Sequence, residues 1–374
     1  MSRKRSAAIM ERYRQQFMDG AADRGVDVDT ATTMFENLLG FAEFGFPKSH
    51  GAAFGLLAYQ STWLKHYYAP EYLCALLNEQ PMGFYPPHVL TKDAQRHGVA
   101  VRRPDVNLSD ARCTVEEITP DDAQTDLRGA IRVGLGYVKG VGEVSARRVE
   151  DERARDGAYR SLFDFVQRTG LSSDATTNLI RVGAFDDLGL NRRELIWQLG
   201  LFAGGVEQSE LHRPQDRQLR LALPTAQDEV RLDDFSAYQR MAGDYAVLRL
   251  SPDSHPMQFL RPALGEGVVS SRHLRAMPAG TRVDLAGLVV CRQQPLTAKG
   301  IIFLLLEDEF GMVNALVSRE LVEAHRDIVR TAPFMRVRGV LEERAGEQRT
   351  LIADAIEEFF PAEVLSMPAG KSWG

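Results

Sequence analysis

The spacing of apolar residues changes near Thr281, and this change constrains the fold more than any other feature of the sequence. Before Thr281, apolar side chains recur three and four residues apart, as in Ala31, Met34, Phe35 and Leu38. That spacing predicts amphipathic helices. After Thr281, apolar runs such as GIIFLLLEDEFGMVNALVS alternate with glycine-containing turns, which predicts strands. The chain is therefore predicted to be multidomain, helical first and β-stranded afterwards.

The stranded region covers residues 280–360 and contains one helical segment, RELVEAHRDIVR. Strands interrupted by a single helix are typical of a small Greek-key barrel of the OB type. The charge of this region gives no support for nucleic-acid binding, because 10 basic residues are set against 13 acidic ones. The order of strands and helix therefore predicts the barrel, whereas the charge of the region does not predict a nucleic-acid ligand for it.

Turn-rich and polar stretches divide the chain into predicted parts. These are a helical region at 1–98, a small strand-containing connector at 99–133, a hairpin-containing helical region at 134–202, a linker with a helical segment at 203–279, the barrel at 280–360 and a tail at 361–374.

Composition excludes several classes of protein. The net charge of −6 excludes a uniformly basic nucleic-acid binder but allows a local basic patch. The three cysteines have neither metal-ligand spacing nor a disulfide framework, which favours a reducing cytoplasm. No apolar run approaches the ~20 residues that a membrane span needs, and the basic N-terminus lacks the apolar core of a secretory signal.

The segment VKGVGEVSA at 138–146 predicts a sharp bend followed by a helix. Glycine adopts backbone conformations closed to other residues and lets two backbones approach. The amide groups at the start of the second helix would then face outward, where they and the helix dipole favour an anion. This form resembles the helix–hairpin–helix motif, which binds phosphate backbones. The predicted DNA-binding residues are Lys139, Gly140, Val141, Gly142, Ser145, Arg147 and Arg148.

The alternative for this segment is a corner whose glycines serve only helix packing. Residues 128–200 carry a net charge of +2, and Arg153 and Arg155 follow the predicted binding residues, which favours the DNA-binding interpretation. A second, weaker copy of the hairpin at 179–186 is followed by Asn191, Arg192 and Arg193. It lacks the Gly-x-Gly core and is predicted to be structural.

Several blocks of the sequence resemble C-family bacterial DNA polymerases, the family of the polymerase III alpha subunit. FGFPKSHGAAFGLLAYQSTWLKHYYAPEYLCALLN resembles the end of the fingers region, GLGYVKGVGEVSARRV and LIRVGAFDDLGLNRREL resemble the tandem helix–hairpin–helix region, and RVDLAGLVVCRQQPLTAKGIIFLLLEDEFGMVNALV resembles the OB domain. LLNEQPMGFYPPHVLTKDAQRHGVAVRRPDVN is similar to the damage-inducible, error-prone branch. The blocks occur in the family's order and cover nearly the whole chain.

This resemblance implies the C-terminal part of an error-prone polymerase that acts in translesion synthesis and DNA repair. The complete polymerase requires Mg²⁺ held by carboxylates of a Pro-Asp-x-Asp-x-Asp type motif. The Pro-Asp pairs at 104–105, 120–121 and 252–253 lack that spacing, so no catalytic residue, metal ligand or bound cofactor is assigned to this chain. Met1 is interpreted as an internal methionine or as the start of a split or truncated gene.

The resemblance also implies candidate contacts outside the hairpin. Lys48, Ser49 and His50 would lie at the mouth of a helix near the incoming nucleotide or template, although Ser49 could instead cap that helix. Arg292 and Lys299 are candidate single-strand contacts of the barrel, whereas Phe303 is expected in its core.

The peptide QLGLF at 198–202 resembles sliding-clamp ligands, with a helix end containing buried leucines as the alternative that the sequence favours. Clamp and translesion-synthesis proteins are therefore candidate partners beside template-primer DNA. A rival function is a free-standing DNA-binding module or scaffold without catalytic activity. An adaptor with an OB domain of the aminoacyl-tRNA type is a third possibility, but nothing upstream of the barrel resembles such a protein.

Overall fold

The computed structural model describes residues 7–44, 48–83, 85–118, 127–203, 230–295, 298, 300–344, 348–359 and 371–373. The chain divides into two units, Met1–Tyr68 and Ala69–Gly374. The predicted order of helices first and a stranded barrel afterwards is confirmed. The bounds of the six predicted parts stay a prediction.

The first unit is helical, with α1 at Ala7–Ala22, α2 at Val28–Phe44 and α3 at Lys48–Tyr67. Phe17 of α1 contacts Phe35 of α2, with ring centroids 5.6 Å apart. Phe35 and Ala31 are buried, as their helical spacing predicts. Met34, which the same spacing places on the apolar stripe, is instead 52% exposed, and the side chain of Leu38 lies outside the described residues. The predicted stripe is therefore buried at Ala31 and Phe35 but not at Met34.

The second unit begins with two helices packed on a small sheet. Its elements are α4 at Ala69–Asn78, α5 at Pro87–Arg96, β1 at Val99–Arg102, β2 at Thr114–Glu116 and β3 at Gly129–Arg132. Strand β3 lies in the centre, parallel to β1 and antiparallel to β2. At Gly129 a Cβ would lie 2.4 Å from Cγ of Pro70, so α4 approaches β3 closely only because this residue is glycine.

Short helices follow the sheet, and two of them begin with a serine whose side chain caps the helix. They are a 3-10 helix at Leu135–Tyr137, α6 at Gly142–Asp156, α7 at Leu162–Thr169, α8 at Ser173–Arg181, a 3-10 helix at Asp186–Leu188 and α9 at Arg192–Ala203. The side chains of Ser161 and Ser172 cap α7 and α8. Phe165 contacts Tyr159 and Phe185, each at 4.9 Å between ring centroids. These rings lie in the core that the helices share with the small sheet.

Helix α10 at Ala237–Leu248 fastens the next segment to that core. Ser236 and Gln239 form a capping box at its start. Arg103 donates to both carboxylate oxygens of the buried Asp244 at 2.6 and 2.9 Å. The connection to the barrel then contains α11 at Pro256–Leu260, a 3-10 helix at Arg261–Leu264, β4 at Val268–Val269 and α12 at Ser271–Leu274.

The stranded region is a closed five-stranded barrel of the OB type, as predicted. Its elements are β5 at Arg282–Gln293, β6 at Ile302–Glu307, β7 at Met312–Val317, α13 at Arg319–Ala324, α14 at Arg326–Thr331, β8 at Phe334–Arg344 and β9 at Gln348–Glu358. The ring closes through β5, β6, β7, β9 and β8 back to β5, and only the β7–β9 pair is parallel. A further strand, β10 at Lys371–Trp373, pairs with β5.

Candidate nucleic-acid interface

The bend at Gly140–Gly142 turns the chain sharply between the 3-10 helix Leu135–Tyr137 and α6. Gly140 has a φ of +87° and Gly142 a φ of +69°, which are conformations that L-residues adopt only with strain. Between them, Val141 is buried in the helical core. The side chain of Val141 therefore anchors the bend in the core, and the glycines on either side of it lie at the surface.

Hydrogen bonds from distant elements hold the bend in place. The backbone N–H of Lys139 donates to the carbonyl of Val247 at 3.3 Å. The side-chain amide of Asn178 on α8 donates to the carbonyl of Lys139 at 2.8 Å. Because α8 and α10 both contribute, the bend is a fixed part of the second unit, which preorganises it for a ligand.

The outer side of the bend is open. A Cβ on Gly142 would meet no atom within 4 Å, and one on Gly140 would come no closer than 3.7 Å to the amide of Asn178. The side chain of Val144 in the next turn is 79% exposed. A phosphate group can therefore approach this surface without displacing a protein side chain.

Helix α6 begins here without a side-chain cap. Its N-cap residue is Val141, which has no side-chain acceptor to offer the first amides. The first N–H groups of a helix have no partner within the helix, and the helix dipole adds partial positive charge there. Together with the open surface above Gly142, this helix start can bind an anion such as a backbone phosphate.

The predicted cations lie around this helix start in different environments. Lys139 is exposed beside the bend. Arg147 is exposed and donates to Oε1 of Glu143 at 3.2 Å from Nε and 2.5 Å from Nη2; this hydrogen bond lowers the pKa of Glu143. Arg148 is also exposed and donates to the carbonyl of Thr169 at 3.2 Å. Ser145 is half-buried on the same helix.

The two arginines farther along α6 have structural partners. Arg153 donates to the carbonyls of Val106 and Ser109 at 3.0 and 2.8 Å. Arg155 pairs with Glu152 and Asp156. Lys139, Arg147 and Arg148 are therefore the exposed cations of the predicted set, one beside the bend and two on α6.

The second glycine corner, at Gly183, is filled. Gly183 has a φ of +84°, and a Cβ there would lie 2.2 Å from Nη2 of Arg192 and 2.5 Å from Oδ2 of Asp186. Arg192 is 2% exposed and donates to Asp186 at 2.9 and 2.6 Å and to the carbonyl of Arg181 at 2.8 Å. This packing supports the structural interpretation of the second copy.

The predicted nucleotide-end residues lie in the first unit at the start of α3. Ser49 and His50 are exposed, and the ring of His50 lies 4.3 Å from that of Phe54. Ser49 lies inside the first turn of α3 and not before it, which does not fit a role as the N-cap. The side chain of Lys48 lies outside the described residues, as does all of Gly45–Pro47. A nucleotide contact by this group stays a prediction.

The barrel candidates are not brought together on an open surface. Arg292 is 6% exposed, and its guanidinium donates to the carbonyls of Val329, at 2.7 Å, and Ala332. Burial lowers the pKa of Arg292. The hydrogen bonds of Arg292 link β5 to the end of α14, which is a structural role. Phe303 is half-buried on β6, and Lys299 lies outside the described residues.

The clamp-like peptide Gln198–Phe202 forms part of α9. Leu199 is 4% exposed in the helical core, whereas Leu201 is 45% exposed. The side chain of Phe202 lies outside the described residues. Clamp binding through this peptide would require Leu199 to leave the core, and it stays a prediction.

The described part of the chain has neither a metal-binding cluster nor a membrane-spanning helix. No group of three or more His, Cys, Asp or Glu side chains is arranged to hold a metal ion. No described helix is both long and apolar enough to cross a membrane.

Sequence reasoning missed Asn178, which orients the bend from α8. Asparagine inside a helix carries no local signal that its side chain reaches a carbonyl 39 residues earlier in the chain. The local sequence pattern therefore indicates the two glycines but not the Asn178 side chain that holds the bend.

A family model described as "Helix-hairpin-helix motif" matches residues 98–195. The match includes both glycine corners and the small sheet before them. It confirms the motif that the sequence predicts, and the open bend at Gly140–Gly142 lies within the matched range.

The chain is similar over nearly all of its length to proteins named error-prone DNA polymerase. It is 38% identical over 359 residues to the protein of Anaeromyxobacter sp. (strain K), and this match covers 95% of the chain and 30% of the relative. It is 40% identical over 349 residues to the protein of Mycolicibacterium paratuberculosis (strain ATCC BAA-968 / K-10), with 92% and 30% covered. The resemblance predicted from sequence is confirmed: the chain is related to a segment of these polymerases and spans about 30% of their length.

Among solved structures, asparaginyl-tRNA synthetase from Pyrococcus horikoshii matches 24% of this chain and 22% of its own at 24% identity, with a TM-score of 0.21. A TM-score this low carries no argument about the whole fold or its function.

Proposed function

We propose that this chain is the DNA-gripping portion of an error-prone DNA polymerase that acts in damage-induced translesion synthesis and DNA repair. The observation that carries the proposal is the open, uncapped bend at Gly140–Gly142 within a matched helix–hairpin–helix region. The bend binds a phosphate of the template-primer duplex through the first amides of α6. Lys139, Arg147 and Arg148 neutralise neighbouring phosphates.

Such contacts hold DNA without reading its sequence. Amides and cations at the phosphate backbone fix the position of the protein but carry no base information. A polymerase that copies a damaged template needs contacts of this kind, because its affinity for the template-primer duplex must not depend on which bases are present. The proposed site is thus suited to positioning the duplex and not to choosing a target.

Nucleotide addition itself is assigned to the part of the relatives that this chain does not match. Two of the three Pro-Asp pairs have structural roles, which supports that division. Asp105 accepts from the N–H groups of Asn107 and Leu108 at 2.6 and 2.9 Å, and Asp253 pairs with Arg103 at 2.6 Å. Residue 121 of the third pair lies outside the described residues. The Mg²⁺ ions of the complete polymerase would be held by the unmatched part.

The proposed location is the cytoplasm. Cys74, Cys113 and Cys291 are all free and buried. Unpaired, apolar-packed cysteines fit a reducing compartment, which supports this location.

The binding test is a titration of fluorescein-labelled duplex DNA with the purified chain, followed by anisotropy at several salt concentrations. Affinity should fall steeply as salt rises, because neutralised phosphates release counterions. Binding that is independent of salt would contradict the proposed backbone grip.

A primer-extension assay separates the proposal from the rival function of a DNA-binding scaffold. The chain alone should extend no primer. Added to a polymerase fragment that covers the unmatched part of an error-prone relative, it should restore extension. Duplex binding without any restored extension would favour the scaffold.

A further inference from the structure

The turn between β6 and β7 is held in place by one buried carboxylate. Asp308 is 2% exposed and accepts from the N–H groups of Phe310 and Gly311 at 2.9 and 3.0 Å. It also accepts from the N–H of Ser271, at 2.6 Å, and from the Ser271 hydroxyl. These hydrogen bonds join the turn to the start of α12, so a ligand that contacts both segments finds them already positioned.

The turn and the residues of and after α12 form a cleft. Its volume is about 580 Å³, within the roughly 300–1,000 Å³ range of ligand sites. Four apolar side chains and two basic ones account for most of its lining, namely Ala276, Met277, Pro278 and Phe310 with Arg272 and His273. The cleft can therefore take a bulky apolar group beside an anion.

The apolar side of the cleft is open to solvent. Phe310 is 41% exposed, Ala276 and Pro278 are exposed, and Met277 is half-buried. Adjoining apolar side chains at a surface gain free energy when a partner covers them. Methionine also adapts to different apolar groups, because its side chain is unbranched and flexible. These are the features of a surface that docks an apolar side chain.

Positive charge borders the same cleft. The guanidinium carbons of Arg272 and Arg261 lie 5.9 and 6.0 Å from the centroid of the Phe310 ring. Arg261 is already neutralised, because it pairs with acidic residues of the turn. Arg272 and Arg275 are exposed and have no ion pair among the described residues. Incoming carboxylates can therefore pair with these two arginines without displacing an existing partner.

We propose that this cleft docks a short acidic peptide of a partner protein. One bulky apolar side chain of the peptide lies against Phe310 and Met277, and neighbouring carboxylates pair with Arg272 and Arg275. Buried apolar anchors supply most of the affinity of such contacts, whereas complementary charges add specificity and speed association. The proposal uses no residue of the bend at Gly140–Gly142 and does not depend on the proposed function.

An acidic peptide fits the charge of this region better than a nucleic-acid strand does. A strand carries a negative charge at every nucleotide, and the barrel region at 280–360 has 13 acidic residues against 10 basic ones. A peptide with a few carboxylates contacts only the local cations, because its remaining length need not be charged. A bulky apolar side chain also matches a floor of alanine, methionine and proline. Nucleic acid is therefore the competing ligand that the test must be able to reveal.

The test measures fluorescence anisotropy of a labelled peptide in which one leucine stands between pairs of aspartates. Two control peptides of the same length each lack one contact: serine replaces the leucine in the first, and asparagines replace the aspartates in the second. Both controls should bind the unaltered chain at least about tenfold more weakly, because anchor and charge are both required. Binding of the acidic peptide should also weaken as salt rises.

Two substitutions remove the apolar contact in opposite ways. Phe310→Ala takes away the wall of the cleft and should weaken peptide binding about tenfold. Ala276→Trp fills the cleft with an indole ring and should weaken binding to at least the same extent. Phe163→Ala is the matched control, since it removes a ring of similar exposure, 37%, on α7, and it should leave peptide binding unchanged. Thermal unfolding of each variant verifies that it is folded.

A second set of substitutions tests the charge. Arg272→Ala should weaken binding of the acidic peptide about threefold at low salt. It should not change binding of the asparagine peptide, which has no carboxylate to lose. Arg272→Lys, which keeps the charge, should retain most of the affinity. Arg330→Ala, an exposed residue of α14, changes the net charge equally and should have no effect on the acidic peptide.

The proposal is overturned if Phe310→Ala and Ala276→Trp bind the acidic peptide as the unaltered chain does, or if the serine peptide binds equally well. It is also overturned if Arg330→Ala weakens binding as much as Arg272→Ala does, because the attraction then comes from net charge alone.

Competition and crosslinking give two independent readouts. Oligo(dT) should not displace the acidic peptide; if it does, and if Phe310→Ala weakens both ligands equally, the cleft is a nucleic-acid site and the proposal fails. A photoreactive benzophenone group in place of the leucine should crosslink to the cleft residues at 270–278 or to Phe310. Crosslinks found only elsewhere in the chain would contradict the site.

Discussion

The two glycine corners of the helical region have the same backbone conformation and opposite surroundings. Gly142 and Gly183 both have positive φ, +69° and +84°, and each is followed by arginines. Above Gly142 there is open space, whereas the guanidinium of Arg192 fills the space above Gly183. Glycine thus supplies the bend in both places, but a side chain from a later helix decides whether the bend can accept an anion.

The largest effect that separates the corners is on stability. Gly183→Ala should lower the free energy of unfolding by about 3 kcal/mol more than Gly142→Ala does, because the added methyl must displace a buried, hydrogen-bonded arginine. Gly142→Ala should cost only about 1 kcal/mol, the strain of an L-residue at positive φ. Urea unfolding followed by circular dichroism measures both. Equal losses would contradict the assignment of one corner as filled and the other as open.

A double-mutant cycle sharpens this result. Arg192→Ala removes the group that the new methyl would meet, so Gly183→Ala should cost about 1–2 kcal/mol less in that background than alone. Arg192→Ala itself is destabilising, since it leaves the carboxylate of Asp186 and the carbonyl of Arg181 without their donor. Strict additivity would mean that the clash with Arg192 is relieved in some other way.

The next effect is on duplex DNA. Gly142→Ala should weaken binding about tenfold, because its methyl group occupies the space through which a phosphate approaches the amides of α6. The anisotropy titration measures this at fixed salt. Gly183→Ala, at a temperature where it is folded, is the matched control and should bind as the unaltered chain does. If both substitutions weaken binding equally, the open corner is not the contact.

A smaller effect concerns Lys139. Lys139→Ala should weaken duplex binding about threefold and reduce the slope of log affinity against log salt by about 1, as expected for one lost phosphate contact. Arg330→Ala, an exposed residue of α14 on the barrel, is the control with the same charge change. An unchanged slope for Lys139→Ala would place this lysine outside the DNA contact.

The sequence predicts the backbone of this molecule better than its side-chain packing. The switch from helical to alternating spacing at Thr281 and the Gly140–Gly142 bend depend on local preferences, so both could be predicted. The buried position of Arg292 could not, because it depends on the carbonyls of Val329 in α14 and of Ala332 just after that helix.

The smallest predicted effect tests whether Arg147 is available to DNA. Glu143 accepts from Arg147 one turn later, so it competes with a phosphate for the guanidinium and adds a negative charge at the proposed anion site. Glu143→Gln should therefore raise duplex affinity about twofold at low salt, an effect that screening removes at high salt. The barrel offers a matched pair, Arg319 and Glu323, with the same four-residue spacing and with both side chains 63% exposed. Glu323→Gln changes the net charge equally but should leave duplex affinity unaltered, because no open helix start lies beside it. If Glu143→Gln and Glu323→Gln raise affinity to the same extent, the gain comes from net charge alone, and Arg147 is a surface partner of Glu143 without a role in the grip.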